Sequence, residues 1–91
     1  METAEVIRRA DLFIGIDSGP AHLANAVGTP GVILLGAYGG FRSYLPYSGG
    51  YATGMAADII RADGPAADVP AAAVYDAAMR RLSAIATAVM L

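Results

Sequence analysis

The 91-residue sequence contains no cysteine and no tryptophan, its six basic side chains are all arginine, and His22 is its single histidine. Without cysteine there can be no disulfide and no thiolate zinc site. One histidine cannot build a multi-histidine metal site within one chain, so we predict no metal site. The formal net charge is −2. Because binding to a nucleic-acid backbone needs clustered positive charge, we expect no nucleic-acid partner.

Charged residues are also scarce, at 15% against 56% hydrophobic residues. This balance favours a packed core over disorder, and it indicates apolar faces that are buried against another surface. The length allows one small domain or a piece of a larger one. The N-terminus lacks the apolar core of a signal peptide, and no segment reaches the roughly 18 uninterrupted apolar residues of a membrane span. We therefore expect a cytoplasmic protein.

Residues 11–36 carry the clearest structural pattern, which is strand, short helix, strand. Residues 11–16 form an apolar run of the kind expected for a strand covered on both faces. The helix that follows should end at Gly28, with Pro30 enforcing the stop. Residues 31–35 are a second apolar run. Since such a crossover joins parallel strands, the pattern predicts an α/β fold with a partial Rossmann-like parallel sheet.

The rest of the chain is predicted to be one loop, a short strand and a long helix. Residues 36–54 are rich in glycine and tyrosine and indicate a loop, folded back as an irregular hairpin around residues 48–50. Residues 58–61 fit a third strand. A long C-terminal helix over 70–90, capped by Asp68 or Val69, is amphipathic and structural, and its Arg80-Arg81 pair is expected to be solvated.

The corner Asp17-Ser18-Gly19-Pro20-Ala21-His22 joins the first strand to the helix and has three interpretations. It can be an ordinary helix start, with Asp17 or Ser18 capping and His22 half exposed. It can be a ligand cradle, because unpaired N–H groups and the helix dipole favour an anion there and Gly19 permits close approach. Asp17 suits the hydroxyl groups of a sugar, and His22 could donate to a phosphate or sugar oxygen. Local pattern alone favours the helix start.

The third interpretation, a catalytic Ser18–His22 pair, is the weakest. The Gly-Asp-Ser-Gly-Gly-Pro motif of trypsin-like proteases works with a histidine and an aspartate far upstream on a β-barrel, whereas here the histidine follows the serine. The hydrolase elbow Gly-x-Ser-x-Gly needs glycines where Ile16 and Pro20 stand. The dinucleotide fingerprint Gly-x-Gly-x-x-Gly is absent as well. We assign no catalytic residue.

The stretch FIGIDSGPAHLANAVGTPGVILLG closely resembles the C-terminal motif of glycosyltransferase family 9, the heptosyltransferase family. That motif has an apolar strand, Gly-x-Asp-Ser/Thr-Gly-x-x-His-x-Ala, Ala-x-Gly-x-Pro, and a second apolar strand ending in glycine. The matched positions are Gly15, Asp17, Ser18, Gly19, His22, Ala24, Ala26, Gly28, Pro30 and Gly36. The resemblance is firm over residues 10–36, extends through Pro46-Tyr47 to about residue 50, and is weak beyond.

The resemblance implies a fragment of the C-terminal, nucleotide-sugar-binding domain of a GT-B fold, spanning residues 1–91. It implies that the backbone amides of Ser18, Gly19, Ala21 and His22 face the donor diphosphate. By the same comparison Asp17 contacts the donor sugar and His22 helps to order the site. Arg42, in the loop, could neutralise donor phosphate. The loop aromatics Tyr38, Phe41 and Tyr44 could line the cleft or pack the loop onto the domain, and packing is favoured for the tyrosines. Members of the family typically need no metal for donor binding, and no other cofactor is expected.

The implied reaction transfers a sugar, often heptose from an ADP-activated donor, to a lipopolysaccharide-type glycan, with a peripheral location at the inner membrane. We expect the chain alone to be inactive, because the domain that binds acceptor and carries the base is absent from it, so a missing N-terminal domain or a partner chain is implied. The alternatives are a non-catalytic phosphate-binding module and a structural fragment that forms homo-oligomers. The motif leaves open the sugar, the nucleobase, the acceptor, the oligomeric state and whether the chain is a truncated gene, a split half or an excised piece.

Overall fold

The structure is a computed structural model that describes residues 3–36 and 47–90, with side chains described as far as residue 85. Its elements, in chain order, are helix α1 (Thr3–Arg9), strand β1 (Phe13–Ile16), helix α2 (Gly19–Val27), strand β2 (Gly31–Leu35), helix α3 (Gly49–Thr53), strand β3 (Ala57–Arg61), a 3₁₀ turn (Ala66–Asp68) and helix α4 (Ala71–Met90). The described part of the chain therefore alternates helix and strand, which is the order of an α/β fold.

The three strands form one parallel sheet in the order β1-β2-β3. Gly31 of β2 stands in register with Phe13 of β1 on one side and with Ala57 of β3 on the other. The predicted strand–helix–strand unit and the predicted third strand are confirmed. Three parallel strands with helical connections are consistent with a Rossmann-like fragment, as the sequence pattern indicated.

The central strand β2 separates two small cores, because alternate side chains of a strand point to opposite faces. Ile33 packs on the side of α1, α2 and α3, together with Ala24 and Tyr51. Val32 packs on the other side, against Ala77 and Ala78 of α4. This strand is buried on both faces, as expected for the middle of a parallel sheet.

Helix α2 ends where the sequence predicts, at Gly28. This glycine has a φ of 80° and its N–H donates to the carbonyl of Asn25, which is the left-handed C-terminal arrangement that glycine adopts without strain. The next residue, Thr29, is buried, and its hydroxyl donates to the carbonyl of Ile7 over 2.7 Å. The end of α2 is thus tied to the end of α1.

Strand β1 differs from the prediction that both of its faces are covered. Ile14 and Ile16 are 49% and 56% exposed, whereas Phe13 on the opposite face packs into the core beside α2. The physical reason is the position of α4, which packs against β2 and β3. Strand β1 lies at the edge of the sheet, beyond the strands that α4 covers, so its face with Ile14 and Ile16 stays open to solvent.

Two local predictions in the second half are wrong. Residues 48–50 do not form a hairpin but lead into helix α3, where the φ of Gly49 is 64° and the carbonyl of Gly50 accepts from the N–H of Ala56. Helix α4 is not capped by Asp68 or Val69, because Asp68 belongs to the 3₁₀ turn. The carbonyl of Pro70 accepts the first hydrogen bonds of α4 instead.

The prediction that Arg80 and Arg81 are both solvated is wrong for Arg81. Its side chain is only 18% exposed, and its guanidinium donates to the carbonyls of Met55 and Gly54 at 2.8 and 2.9 Å. It also lies 3.3 Å from the carboxylate of Asp58. Arg81 falls on the side of α4 that meets the turn before β3, whereas Arg80 is exposed.

Candidate functional site at the β1–α2 corner

The candidate site lies where β1 ends and α2 begins, at the carboxyl edge of the parallel sheet. Ser18 is the N-cap residue of α2 and has an extended backbone, but its side chain makes no capping hydrogen bond. Its hydroxyl instead donates backwards to the carbonyl of Ile16 over 3.1 Å. The N–H of His22 donates to the carbonyl of Ser18 and closes the first turn of the helix.

This arrangement leaves backbone donors at the start of α2. The first amides of a helix have no acceptor within it, and Pro20 has no N–H to offer. The N–H groups of Gly19 and Ala21 are therefore the ones in that turn without a helical acceptor. A Cβ on Gly19 would meet no atom within 4 Å, so the space in front of the backbone is open. Open space at Gly19, an amide there without a helical acceptor and the positive end of a helix dipole suit an anionic group.

Asp17 and His22 meet directly at this corner. The Nε2 atom of His22 lies 3.3 Å from Oδ1 of Asp17. The Asp17 side chain is 14% exposed and that of His22 is 49% exposed, so the carboxylate lies deeper than the imidazole. Because the imidazole faces Asp17 and the hydroxyl of Ser18 is bonded to Ile16, these contacts do not form a serine–histidine nucleophile pair.

Tyr47 is a site residue that sequence reasoning missed. Its hydroxyl donates to Oδ1 of Asp17 over 3.0 Å, although the two residues are 30 positions apart. Its ring also lies on the ring of His22, with 4.7 Å between the centroids. The packing expected of the loop aromatics concerned Tyr38, Phe41 and Tyr44, which lie outside the described residues. Tyr47 itself is buried at 6% exposure. Beyond this packing, the hydroxyl of Tyr47 reaches the corner and bonds to Asp17.

Two neighbours hold the segment that carries Tyr47. The ring of Tyr51 meets that of Tyr47 edge-on at 5.6 Å, and the Tyr51 hydroxyl donates to the buried carbonyl of Thr29 over 2.6 Å. Burial of this phenol raises the pKa of Tyr51 to about 12. The side-chain amide of Asn25 in α2 donates to the carbonyl of Ser48 over 2.9 Å. Helix α2 therefore provides both the corner and an anchor for the chain next to Tyr47.

The sequence predicted six site residues, five of them at the corner. Asp17 and His22 are in contact, and Gly19 is open in front of them. Ala21 is fully buried, its backbone included. Ser18 is the N-cap residue, and its hydroxyl is bonded to the carbonyl of Ile16. The N–H of His22 is used within the helix, so the prediction that this amide faces the donor is wrong. The sixth residue, Arg42, lies outside the described residues. The predicted parallel sheet offered one signal for Tyr47. Because parallel strands end at the same edge, the segment after β2 starts at the carboxyl edge where Asp17 lies, and Tyr47 belongs to that segment.

The described residues also bear on metal sites and membrane-spanning helices. No group of three His, Cys, Asp or Glu side chains is placed to hold a metal ion within this part of the chain. No helix in the same residues is long and apolar enough to cross a membrane. Among the described residues, the polar functions at the corner are the Asp17 carboxylate, the His22 imidazole, the Tyr47 phenol, the Ser18 hydroxyl and backbone amides.

The fold and the corner define the class: a Rossmann-like parallel α/β fragment with a polar corner at the carboxyl edge of its sheet. The comparisons with known proteins are more particular. The sequence model of Glycosyltransferase family 9 (heptosyltransferase) matches residues 1–43. The family resemblance read from the motif is thereby confirmed over the segment that holds β1, the corner, α2 and β2.

One curated relative supports the same conclusion. The lipopolysaccharide heptosyltransferase 3 of Escherichia coli is 56% identical to this chain over 36 residues. The matched stretch covers 40% of this chain and 11% of that relative, so the chain spans only a small part of the relative's length. No solved structure matches the chain.

Proposed function

We propose that the corner of residues 17–22 is the donor-binding corner of a sugar transferase of the glycosyltransferase family 9 type, and that it holds the diphosphate of a nucleotide-sugar. The observation that carries the proposal is the start of α2. There Ser18 turns its hydroxyl away from the helix, and the space in front of Gly19 is open. A diphosphate bound there would accept from the Gly19 amide and benefit from the helix dipole, and the Ala21 amide would join only if the buried start of the helix opens slightly.

Asp17 gives the corner a preference beyond phosphate. A carboxylate repels a phosphate group but accepts hydrogen bonds from hydroxyl groups. The Asp17 carboxylate already accepts from Tyr47 and lies against His22, which offsets part of that repulsion. A donor whose sugar hydroxyls reach Asp17 while its phosphates reach the helix would satisfy both requirements. His22, half exposed beside Asp17, is placed to donate to a phosphate or sugar oxygen when it carries the proton.

The reaction proposed for the complete enzyme is transfer of a sugar, heptose from an ADP-activated donor being the example, to a lipopolysaccharide-type glycan. The family match and the name of the E. coli relative support this substrate class. The transfer itself needs an acceptor site and a general base. We propose that the chain alone binds donor weakly, without a metal or another cofactor, and transfers no sugar, and that a further domain or a partner chain supplies the rest.

Titration of the isotope-labelled chain with ADP-heptose, ADP and inorganic pyrophosphate tests the binding proposal. Shifts of the backbone amide signals should concentrate at residues 17–22, with a dissociation constant of about 1 mM for such an open site. The Asp17→Ala variant should bind pyrophosphate at least as tightly as the wild type, because a repelling charge is removed, and lose the preference for ADP-heptose over ADP. Shifts spread over α4 in place of the corner would contradict the proposal. Measurable sugar transfer by the purified chain would refute the proposed inactivity.

A second candidate function is that of a fragment that self-associates through apolar surface. The observation in its favour is the exposure of Ile14 and Ile16 on one face of the edge strand β1. Sedimentation velocity at several protein concentrations tests it, with the Ile14→Thr variant as comparison. A concentration-dependent oligomer that the substitution abolishes would support this candidate, and a monomer at all concentrations would remove it.

A further inference from the structure

We infer that Tyr47 is a positioning residue of the corner. Its hydroxyl holds one oxygen of Asp17, and this makes the corner select phosphorylated ligands that carry sugar hydroxyls over bare diphosphates. The inference rests on the proposed function, since it assumes that an anionic ligand occupies the start of α2. It goes further by giving a residue outside the helix motif a defined part in ligand choice.

The described contacts of the Asp17 carboxylate fall on one of its two oxygens. Tyr47 donates to Oδ1 over 3.0 Å, and Nε2 of His22 lies 3.3 Å from the same atom. Both contacts that the described residues make with this carboxylate thus end on Oδ1. Among the described residues, Oδ1 therefore takes both contacts, and Oδ2 is the oxygen that these residues leave for a ligand.

Tyr47 restrains both Asp17 and His22. Its hydroxyl limits rotation of the Asp17 carboxylate, while its ring lies on the His22 ring at 4.7 Å with 36° between the planes. Tyr47 itself is buried and braced by Tyr51 from behind. A carboxylate and an imidazole held in this way lose little freedom when a ligand binds, and such preorganisation lowers the entropic cost of binding.

The restraint of the Asp17 carboxylate affects which ligand binds. A carboxylate beside a diphosphate is unfavourable unless it gains a hydrogen bond from the ligand. With Oδ1 in contact with Tyr47 and His22, Oδ2 can gain that bond from a sugar hydroxyl, which ADP lacks at its terminal phosphate. Without the Tyr47 hydroxyl the carboxylate can turn, and a ligand hydroxyl no longer meets a preset acceptor. Affinity for the sugar-bearing ligand should then fall more than affinity for ADP.

The Tyr47→Phe variant separates the hydroxyl from the ring. Phenylalanine keeps the contacts with His22 and Tyr51, so a purely packing role would leave ligand choice unchanged. We expect the ratio of ADP affinity to ADP-heptose affinity to change about fivefold to tenfold, almost entirely through weaker ADP-heptose binding. The matched control is Tyr75→Phe, a tyrosine exposed on α4 away from the corner, which should behave as the wild type. Calorimetric titration of the full chain measures all three.

Combining variants shows whether Tyr47 acts through Asp17. If it does, adding Tyr47→Phe to Asp17→Asn should change the ratio no further than Asp17→Asn does alone. A wild-type preference for ADP-heptose that survives Tyr47→Phe within twofold would overturn the inference and leave the proposed function intact. Absence of binding by both ADP and ADP-heptose to the wild type would overturn both. Equal affinity of the wild type for the two ligands would overturn the inference.

A measurement on the wild-type chain covers the case in which Tyr47→Phe does not fold. With ¹³C-labelled tyrosine and aspartate, addition of ADP-heptose should move the Asp17 carboxyl signal and leave the Tyr47 Cζ signal in place, because the Tyr47 bond persists while Oδ2 gains a partner. A Tyr47 Cζ signal that moves to the position of a solvent-exposed tyrosine on binding would contradict the positioning role.

Discussion

Gly31 lies against the ring of Tyr51 so closely that a side chain at position 31 has no room: a Cβ built there would be 2.9 Å from Cζ of Tyr51. The contact sits in the middle of the molecule, because Gly31 begins the central strand β2 and Tyr51 belongs to α3. The contact is linked to the candidate site, because the Tyr51 ring also packs against the ring of Tyr47. A glycine in the strand thus permits the packing that places a site residue.

Gly31→Ala should therefore destabilise the chain. The added methyl group must displace Tyr51 and its hydrogen bond to Thr29, and overpacking of this kind costs about 1–3 kcal/mol in the free energy of unfolding. Urea unfolding followed by circular dichroism measures the change. Gly19→Ala is the control for stability, because a Cβ there meets no atom within 4 Å and it should unfold as the wild type does.

Gly19→Ala should weaken ligand binding, although it should leave stability unchanged. Its methyl group would project into the open space in front of the α2 amides, where the proposed diphosphate approaches the backbone. We expect affinity for ADP and for pyrophosphate to fall about tenfold, which corresponds to about 1.4 kcal/mol. Calorimetric titration provides the measurement. Unchanged affinity in a folded variant would place the anion elsewhere.

The stability of the fold should decrease at high pH through Tyr51. Burial raises the pKa of Tyr51 from 10.0 to about 12 in the folded chain, so between these values the folded state holds a proton that the unfolded state releases. The corresponding stabilisation is complete below pH 10 and is lost as the pH rises from 10 towards 12. Denaturant midpoints over this range should fall in the wild type more steeply than in Tyr51→Phe.

Tyr51→Phe should also be less stable than the wild type at neutral pH. It leaves the buried carbonyl of Thr29 without its 2.6 Å hydrogen bond, which costs about 1–3 kcal/mol. The two effects of this variant are separable, since the first appears as a difference in slope against pH and the second as a constant offset. Equal slopes in the two proteins would show that Tyr51 ionises as readily when folded as when unfolded.

Arg81→Met should destabilise the packing of α4, whereas Arg80→Met should not. Methionine keeps the apolar stem but loses the donors to the carbonyls of Met55 and Gly54 and to Asp58. The Arg81 side chain is only 18% exposed and its contact with Asp58 is partly buried, and hydrogen bonds from a charged group are stronger than neutral ones, so we expect a loss of about 1–2 kcal/mol for Arg81. Thermal unfolding of both variants measures the contrast. Equal melting temperatures would mean that Arg81 is as dispensable as its solvated neighbour.

Much of the corner could be predicted from local residue types. The apolar run of 13–16, the Gly-Pro helix start and Gly28 each specify a conformation through backbone sterics and hydrogen bonding that act within a few residues. The same stretch carries the motif that the family comparison matches. The positions of a short strand and of helix ends of this kind depend little on what lies far along the chain. They were therefore predicted correctly.

The remaining features arise from contacts between distant segments. The exposed face of β1 results from where α4 packs, and the burial of Arg81 depends on the turn before β3 lying beside it. Tyr47 reaches Asp17 because the parallel sheet puts the ends of β1 and β2 at one edge, where a chain 30 residues later returns. No local pattern specifies which side chain fills that position. Sequence therefore predicts the corner and its helix, while the three-dimensional packing supplies the phenol that completes it.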